Sequence, residues 1–181
     1  MSKLRFASVW MGGCSGCHMS FLDLDEFLFD LADKVEVVYS PVADVKTYPE
    51  NVDVCLVEGA IANRDNLELI HTIRRNTRVV AAFGDCAVTG NVTGMRNPLG
   101  GPEIVLDVAY RNGQVLRPQI PDDEGVVPPL VPKVSPVHVV VPVDLYIPGC
   151  PPSAKRIRAV LERVVAGQPV EMIGRDLLKF G

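Results

Sequence analysis

Four of the five cysteines in this chain lie in turns rich in glycine or proline, each shortly after an apolar run. Cys14 and Cys17 are separated by two residues, whereas Cys86 and Cys150 lie far from them along the chain. The apolar runs predict strands, so each thiol is expected just beyond the end of a strand. Because four such thiols can act together only where the ends of several strands meet, this pattern constrains the fold strongly.

Short β-rich runs alternate along the chain with helical patterns. Strands are predicted at residues 4–10, 35–39, 53–58, 78–83 and 145–147, and helices at about 65–76 and 153–166. The spacing of Phe21, Leu24, Leu28 and Leu31 predicts one more helix, and Ser153 is the expected N-cap of the last one. This order predicts an α/β fold of the flavodoxin-like, doubly wound type with a mainly parallel sheet. Ligands of such sheets bind beyond the carboxyl ends of the strands, where the cysteines are expected.

The length of 181 residues is enough for one domain that buries a normal core without staples, so we expect a single domain over residues 1–181. Residues 112–143 are rich in proline and valine and form the longest stretch without clear regular structure. Their low polar content disfavours disorder. We interpret them as a Pro/Val-rich loop insertion that packs against a partner chain.

Composition excludes several kinds of partner. The net charge of −4 gives no reason to expect a nucleic acid. No stretch approaches the roughly 18 apolar residues of a membrane span. The first residues lead directly into a strand, without an apolar signal core or a twin arginine, so a cytoplasmic protein is expected. We find no Ser-His-Asp order, phosphate loop or dinucleotide fingerprint, and the sequence alone indicates no substrate site.

Cys55 differs from the other four cysteines. It lies within the apolar run Val54-Cys55-Leu56-Val57, which predicts a buried strand. A free cysteine in such a place behaves as a small hydrophobic residue. Setting it aside leaves four thiols, the number that a cubane cluster takes.

Three kinds of site could use these thiols. A Cys-x-x-Cys pair between a strand and a helix is as typical of a thiol–disulfide oxidoreductase as of a cluster. Cys86 and Cys150, however, have no role in a dithiol cycle, and four-cysteine zinc sites usually contain two close pairs rather than one. Glycine-rich turns also supply the backbone N–H groups that an iron–sulfur cluster needs. The residues therefore favour such a cluster, with the thiol-redox pair and then zinc as alternatives.

Other residues near these turns have less certain roles. Three prolines, Pro148, Pro151 and Pro152, stiffen the last turn, where one X-Pro bond is a candidate for the cis form. Glu58 ends the third predicted strand, either as a solvated residue or as a functional group that faces the site. His18 follows Cys17 and is either near the site or exposed. His71 and His138 show no relation to the cysteines.

Four segments resemble the small subunit of nickel–iron hydrogenases. They are Gly-Cys-Ser-Gly-Cys at 13–17, Val-Glu-Gly-Ala-Ile at 57–61, Gly-Asp-Cys-Ala-Val-Thr-Gly at 84–90 and Pro-Gly-Cys-Pro-Pro at 148–152. The resemblance implies that Cys14, Cys17, Cys86 and Cys150 hold the iron of one proximal [4Fe–4S] cluster. It also implies that Glu58 lies near the catalytic large subunit, where a role in a proton path is a hypothesis. No catalytic residue is expected in this chain itself.

Two departures from the family narrow the expectation. Respiratory small subunits carry a Tat signal and a C-terminal domain with more cluster ligands, whereas this sequence ends at Gly181 with neither. The chain therefore resembles the short, single-cluster type of cytoplasmic, bidirectional, NAD-reducing hydrogenases. The related subunit of NADH:quinone oxidoreductase typically has adjacent cysteines at the first ligand position. Here Ser15 and Gly16 separate them, which favours the hydrogenase.

The resemblance implies an electron-transfer subunit of an oxidoreductase. It would pass electrons from H2 oxidation in the large subunit, through one [4Fe–4S] cluster, to a diaphorase module that reduces NAD+. The implied partners are the large subunit with its nickel–iron centre and diaphorase subunits with further iron–sulfur clusters and flavin. FMN in this chain is left open and is not predicted. The alternatives are a thiol–disulfide oxidoreductase that uses Cys14 and Cys17, and an iron–sulfur subunit of an NADH:quinone oxidoreductase-like complex.

Overall fold

The computed structural model describes residues 3–112 and 116–171, and a five-stranded parallel sheet forms its centre. In chain order the strands are β1 (Leu4–Trp10), β2 (Val35–Tyr39), β3 (Val52–Glu58), β4 (Ile61–Asn63), β5 (Thr77–Phe83), β6 (Leu130–Ser135) and β7 (Leu145–Ile147). The helices are α1 (Gly16–Leu22), α2 (Phe27–Ala32), α3 (Arg64–Asn76), α4 (Asp85–Thr89), α5 (Asn91–Gly94), α6 (Pro102–Tyr110), α7 (Val137–Val140) and α8 (Ala154–Val165), with a 3-10 turn at Asn97–Leu99.

The strand order of the main sheet is β2-β1-β3-β5-β7, and all four neighbouring pairs are parallel. β1 therefore has β2 on one side and β3 on the other, and the remaining strands follow outward from β3. This is the doubly wound order of flavodoxin-like folds. The predicted α/β fold with a mainly parallel sheet is confirmed.

Helices cover both faces of the sheet, which explains why its strands are apolar almost throughout. On β3, Val54 and Leu56 belong to the core that α1, α2 and α8 cover, whereas Cys55 and Val57 belong to the opposite core, against α3 and α7. The side chain of Cys55 is fully buried. Its predicted place as a small hydrophobic residue in a strand is confirmed.

The strand ends are aligned at the carboxyl edge of the sheet. Trp10 at the end of β1 pairs with Glu58 at the end of β3, and Glu58 pairs in turn with Phe83 at the end of β5. Phe83 pairs with Ile147 at the end of β7. The loops that carry the four predicted ligands thus leave the sheet along one row.

The helix predicted from Phe21 to Leu31 is in fact two helices, α1 and α2. Asp25 has a φ of +49° in the connection, a left-handed conformation that interrupts a right-handed helix. Leu24 and Leu31 are buried in one core, and Phe21 and Leu28 pack against it. The apolar spacing therefore identified the inward residues correctly and the continuity of the helix wrongly.

Residues 112–143 contain regular structure that the sequence analysis did not expect. Strand β6 and helix α7 lie within this region, and β6 pairs antiparallel with β4 in a separate two-stranded sheet. Pro132 is tolerated because a strand at the edge of a small sheet does not need every N–H group for pairing. The rest of the described part of this region is irregular, and residues 113–115 lie outside the described residues.

Two smaller findings concern the ends of helices and their length. The predicted N-cap of α8 is confirmed, because the Ser153 side chain accepts a hydrogen bond from the Arg156 backbone N–H. Within residues 3–112 and 116–171, no helix is long and apolar enough to cross a membrane.

Candidate metal centre

The four predicted ligand cysteines line one cavity of about 110 Å³ at the carboxyl edge of the sheet. Cys14 comes from the connection between β1 and α1, Cys17 from the first turn of α1, Cys86 from α4 after β5, and Cys150 from the loop after β7. The other lining residues are Gly16, Glu58, Asp85, Gly149 and Pro151. The structure thus brings together thiols from three segments that each follow a strand, while their role as ligands stays a prediction.

Burial divides these thiols into an inner and an outer pair. Cys17 and Cys86 are buried, with relative exposures of 7% and 8%, whereas Cys14 and Cys150 are exposed. Burial, followed by the nearby charge of Glu58, raises the pKa of Cys17 far above its ordinary range, and the other three thiols add to the shift. Each of the other three thiols therefore lies close enough to Cys17 to raise its pKa electrostatically.

The thiols surround a space and do not converge on a point. One zinc ion with four cysteine ligands has Zn–S distances of about 2.3 Å, which requires the sulfur atoms to lie roughly 4 Å apart. No group of three or more His, Cys, Asp or Glu side chains among the described residues is arranged to hold a single metal ion. A cluster with iron at several corners needs a wider arrangement of the same four donors. Four thiols around one cavity are the donor set that a [4Fe–4S] cluster takes.

Backbone donors also face the site. Burial raises the pKa of Cys86, and hydrogen bonds to backbone groups of Val92 and Thr93 oppose this rise because they stabilise the thiolate. Hydrogen bonds of this kind at sulfur atoms help to set the reduction potential of an iron–sulfur cluster. The start of α5 therefore supplies one part of the environment that such a cluster needs.

The backbone of Gly84 lies against the Cys17 thiol. A Cβ atom at this position would lie 2.1 Å from Cys17 Sγ, which is far inside van der Waals contact. Gly84 also has a φ of +83°, a conformation that side chains rarely adopt. Glycine is thus required here for two independent reasons, close approach and backbone conformation.

Asp85 joins two of the ligand loops, although the sequence analysis assigned it no role. Its Oδ1 accepts a hydrogen bond of 2.7 Å from the Gly149 N–H, and its own N–H donates to the Gly149 carbonyl at 2.9 Å. Asn91 Nδ2 lies 3.4 Å from Cys150 Sγ. Only a tertiary structure shows these two links, since the residues that they join are about 60 positions apart. In the same turn, the peptide bond from Cys150 to Pro151 is cis, as its prolines suggested.

Glu58 faces the site and is not solvated. Its residue exposure is 2%, and it is one of the cavity-lining residues. Its carboxylate accepts hydrogen bonds from the Cys17 N–H at 3.2 Å, from the His18 N–H at 2.9 Å and from His18 Nδ1. His18 is therefore a partner of Glu58, and its ring makes edge contacts with Trp10 and Phe83. His71 and His138 are not among the described residues that line the cavity.

Comparisons with known proteins identify the family of this chain and several of its relatives. Residues 14–164 match the family described as "NADH ubiquinone oxidoreductase, 20 Kd subunit". The chain is 37% identical over 176 residues to the delta subunit of the NAD-reducing hydrogenase HoxS of Cupriavidus necator, with 94% of this chain and 82% of that one covered. It is also 37% identical over 166 residues to a vhu subunit of the F420-non-reducing hydrogenase of Methanocaldococcus jannaschii, with 91% of this chain covered and only 57% of that longer protein.

A solved structure shows the same fold over nearly the whole chain. A chain of the crystal structure of NAD+-reducing [NiFe]-hydrogenase in the H2-reduced state matches with a TM-score of 0.93 and 36% identity, covering 99% of this chain and 100% of that one. A [NiFeSe]-hydrogenase chain from Dm. baculatum, at 18% identity and a TM-score of 0.58, shares the fold alone. The expected resemblance to hydrogenase small subunits is confirmed. The chain belongs to the NADH ubiquinone oxidoreductase 20 kDa subunit family, and its relatives include hydrogenase subunits.

Proposed function

We propose that this chain is the electron-transfer subunit of a cytoplasmic NAD-reducing nickel–iron hydrogenase, folded as one domain around a single [4Fe–4S] cluster. Cys14, Cys17, Cys86 and Cys150 are the proposed iron ligands. The observation that carries the proposal is the cavity lined by these four thiols, in a chain whose fold matches a chain of an NAD+-reducing hydrogenase with a TM-score of 0.93. The Cupriavidus necator relative is a subunit of an NAD-reducing hydrogenase, which supports the same activity for this chain.

When bound, the cluster would supply one-electron transfer between the hydrogen-splitting partner and the NAD+-reducing partner. The residues of this chain bind it and control its surroundings. The two buried thiols, Cys17 and Cys86, hold its inner side away from water. Asp85 fixes the Gly149 backbone and thereby the loop of Cys150. Gly84 lets the backbone approach Cys17 without a side chain between them.

The proposed first partner is a large subunit that contains the nickel–iron centre. Exposed apolar residues continue along the chain from Asn91, whose amide contacts Cys150. They include Val92, Met95, Leu99, Ile104 and Val108, each more than half exposed. Helix α6 has nine residues and none of them is buried. Because so short a helix is marginal in water, an apolar partner surface would stabilise it. Diaphorase subunits with flavin and further clusters complete the proposed assembly.

Flavin binding by this chain is not part of the proposal. An apolar cleft of about 600 Å³ lies beside β1 and β2. Its described lining residues contain no lysine or arginine to neutralise a phosphate. Trp10, His18 and Ser8 are among the few lining groups with polar atoms. Among its described lining residues, this cleft therefore offers a phosphate no cationic side chain.

The proposal separates electron transfer from hydrogen activation, and one experiment tests that separation. The complex is isolated with a tag on this chain, once with the native chain and once with Cys86→Ala. Two rates are measured anaerobically, H2-dependent reduction of NAD+ and exchange between D2 and water protons. The exchange reaction needs no electron to leave the hydrogen-splitting centre. The native complex should show both activities, and Cys86→Ala should lose NAD+ reduction while it keeps exchange.

Cys55→Ala is the matched control, because it removes a thiol from β3 without touching the cavity. It should keep both activities at the native level. NAD+ reduction at the native rate in the Cys86→Ala complex would contradict the proposed electron path. Absence of both activities from the native complex would contradict the hydrogenase assignment.

A further inference from the structure

Glu58 connects the centre of the sheet with the loop that carries two of the thiols. It is the last residue of β3, paired with Trp10 on one side and Phe83 on the other. Its backbone carbonyl accepts a hydrogen bond of 2.8 Å from the Met11 N–H. The same residue thus contacts the start of the ligand loop with its backbone and the end of it with its side chain.

The carboxylate of Glu58 is held by three donors. Its Oε1 accepts from the Cys17 N–H, and its Oε2 accepts from the His18 N–H and from His18 Nδ1. A carboxylate has about four acceptor sites, so most of its capacity is used within the protein. Two of the donors are backbone groups, which stabilise a negative charge at this position.

His18 is itself fixed, so the third donor does not swing freely. Its ring lies between Trp10 and Phe83, at centroid distances of 5.3 Å and 5.9 Å. Its side chain is 13% exposed, and that of Glu58 is 3% exposed. These contacts hold the Glu58 carboxylate in one place.

We infer that Glu58 is a positioning residue that fixes the Cys14–Cys17 segment and holds its carboxylate beside the cluster. This inference rests on the proposed function, since it requires the cluster. Reduction adds one electron and hence one negative charge to the site. A fixed anion nearby disfavours that added charge and makes the midpoint potential more negative. The hypothesis of a proton path at Glu58 stays a prediction beside this one.

The test is an anaerobic redox titration of the intact complex, followed by EPR. The signal of this chain is identified as the one that Cys150→Ala removes. Glu58→Gln keeps the shape of the side chain and removes its charge. It should shift the one-electron equilibrium of this signal about tenfold towards the reduced form, which corresponds to about 59 mV more positive. Glu58→Asp keeps the charge and should remain near the native potential.

Asp53→Asn is the matched control. Asp53 lies on the same strand, five residues earlier, and its carboxylate accepts a hydrogen bond from the Arg5 N–H. At a rise of about 3.3 Å per residue it lies roughly 16 Å from Glu58. Its loss of charge should leave the midpoint potential unchanged.

Each outcome decides the inference. A native potential in an iron-loaded Glu58→Gln complex would overturn it. If Glu58→Gln loses its iron, the role in fixing the ligand segment is supported and Glu58→Asp decides the effect of the carboxylate: iron at the native potential supports it, and iron at a potential about 59 mV more positive contradicts it. A native complex with no EPR signal that depends on Cys150 would instead overturn the proposed function, and the two failures are therefore distinguishable.

Discussion

The inner and outer thiols of the candidate site differ in how the protein holds them. Cys17 and Cys86 are buried at the bases of α1 and α4, close to the sheet, whereas Cys14 and Cys150 are exposed at the rim. The inner thiols have side chains and backbone around them, notably Glu58 near Cys17 and the start of α5 near Cys86. The outer thiols are exposed, and Cys150 is contacted by the Asn91 amide.

This difference indicates that the inner and outer thiols have different roles in one site. The inner half is built by the fold itself and excludes water from one side of the cavity. The outer half is exposed, and Asn91, which contacts Cys150, is followed along the chain by exposed apolar residues such as Met95 and Leu99. A proposed partner would therefore complete the site from the outer side, and a short path for electrons would pass there.

The largest expected effect is the loss of iron when one cysteine of either pair is replaced. Cys17→Ala from the inner pair and Cys150→Ala from the outer pair should both lose the cluster, because each removes one of four ligands. Cys55→Ala should retain iron at the native level. Iron and sulfide are quantified in complexes purified without oxygen. Equal iron in the Cys55→Ala and Cys150→Ala complexes would overturn the ligand assignment.

The next prediction concerns the base of the inner half. Gly84→Ala would bring a Cβ within 2.1 Å of Cys17 Sγ, so the thiol must move and iron should be lost. Gly125 is a matched control, with a similar φ of +76° and no atom within 4 Å of an added Cβ. Gly125→Ala should keep the iron despite comparable backbone strain. Iron in Gly84→Ala at the level of Gly125→Ala would contradict the requirement for close approach to Cys17.

Alkylation of the cluster-free chain distinguishes the two halves directly. Cys14 and Cys150 should react about tenfold faster than Cys17 and Cys86, because reaction with a thiol depends on access and on the thiolate fraction. Mass spectrometry of digested chains gives the rate at each cysteine. Addition of the large subunit should protect the outer pair. Uniform rates at all four positions would contradict the division into inner and outer thiols.

The smallest effect is expected at Cys55, which belongs to neither half. Burial raises the pKa of its thiol from 9.0 to about 12, and a hydrogen bond with Tyr48 opposes part of the rise. The folded chain therefore holds this proton more tightly than the unfolded chain. Between pH 9 and about 12, ionisation of the unfolded state should lower the free energy of unfolding by about 1.4 kcal/mol per pH unit.

Cys55→Val removes this titration and leaves the other thiols in place. Denaturant unfolding at a series of pH values gives the difference in stability between the native chain and the variant. Below pH 9 that difference should be constant, and above it the native chain should lose stability relative to Cys55→Val. Parallel curves throughout the alkaline range would show that the Cys55 thiol ionises as easily in the folded chain.

The sheet could be predicted from sequence because its signals are local. Strands 4–10, 35–39 and 145–147 have the predicted bounds, since buried parallel strands form short apolar runs between turn residues. The break between α1 and α2 could not be predicted from spacing. Phe21, Leu24, Leu28 and Leu31 face the same core on both sides of the break, so their periodicity is preserved.

The four thiols of the candidate site could be predicted from the sequence, whereas the residues that hold their loops in place could not. The glycine- or proline-rich turn around each cysteine indicates that the cysteine follows a strand. The carboxyl ends of parallel strands lie at one edge of the sheet, so these turns are expected there together. The partners of Glu58 and Asp85, by contrast, are the Cys17 and Gly149 backbone groups, 41 and 64 residues away. Strand β6 was missed for a similar reason, because it depends on pairing with β4 and contains a proline.

The measurement that tests the central claim most directly is anaerobic analysis of iron, sulfide and zinc, with EPR of the reduced state, on this chain co-purified with its partners. The account predicts about four irons and four sulfides per chain beyond those of the partners, with an EPR signal that Cys150→Ala removes. Bound zinc, or no metal together with a reversible disulfide between Cys14 and Cys17, would contradict it.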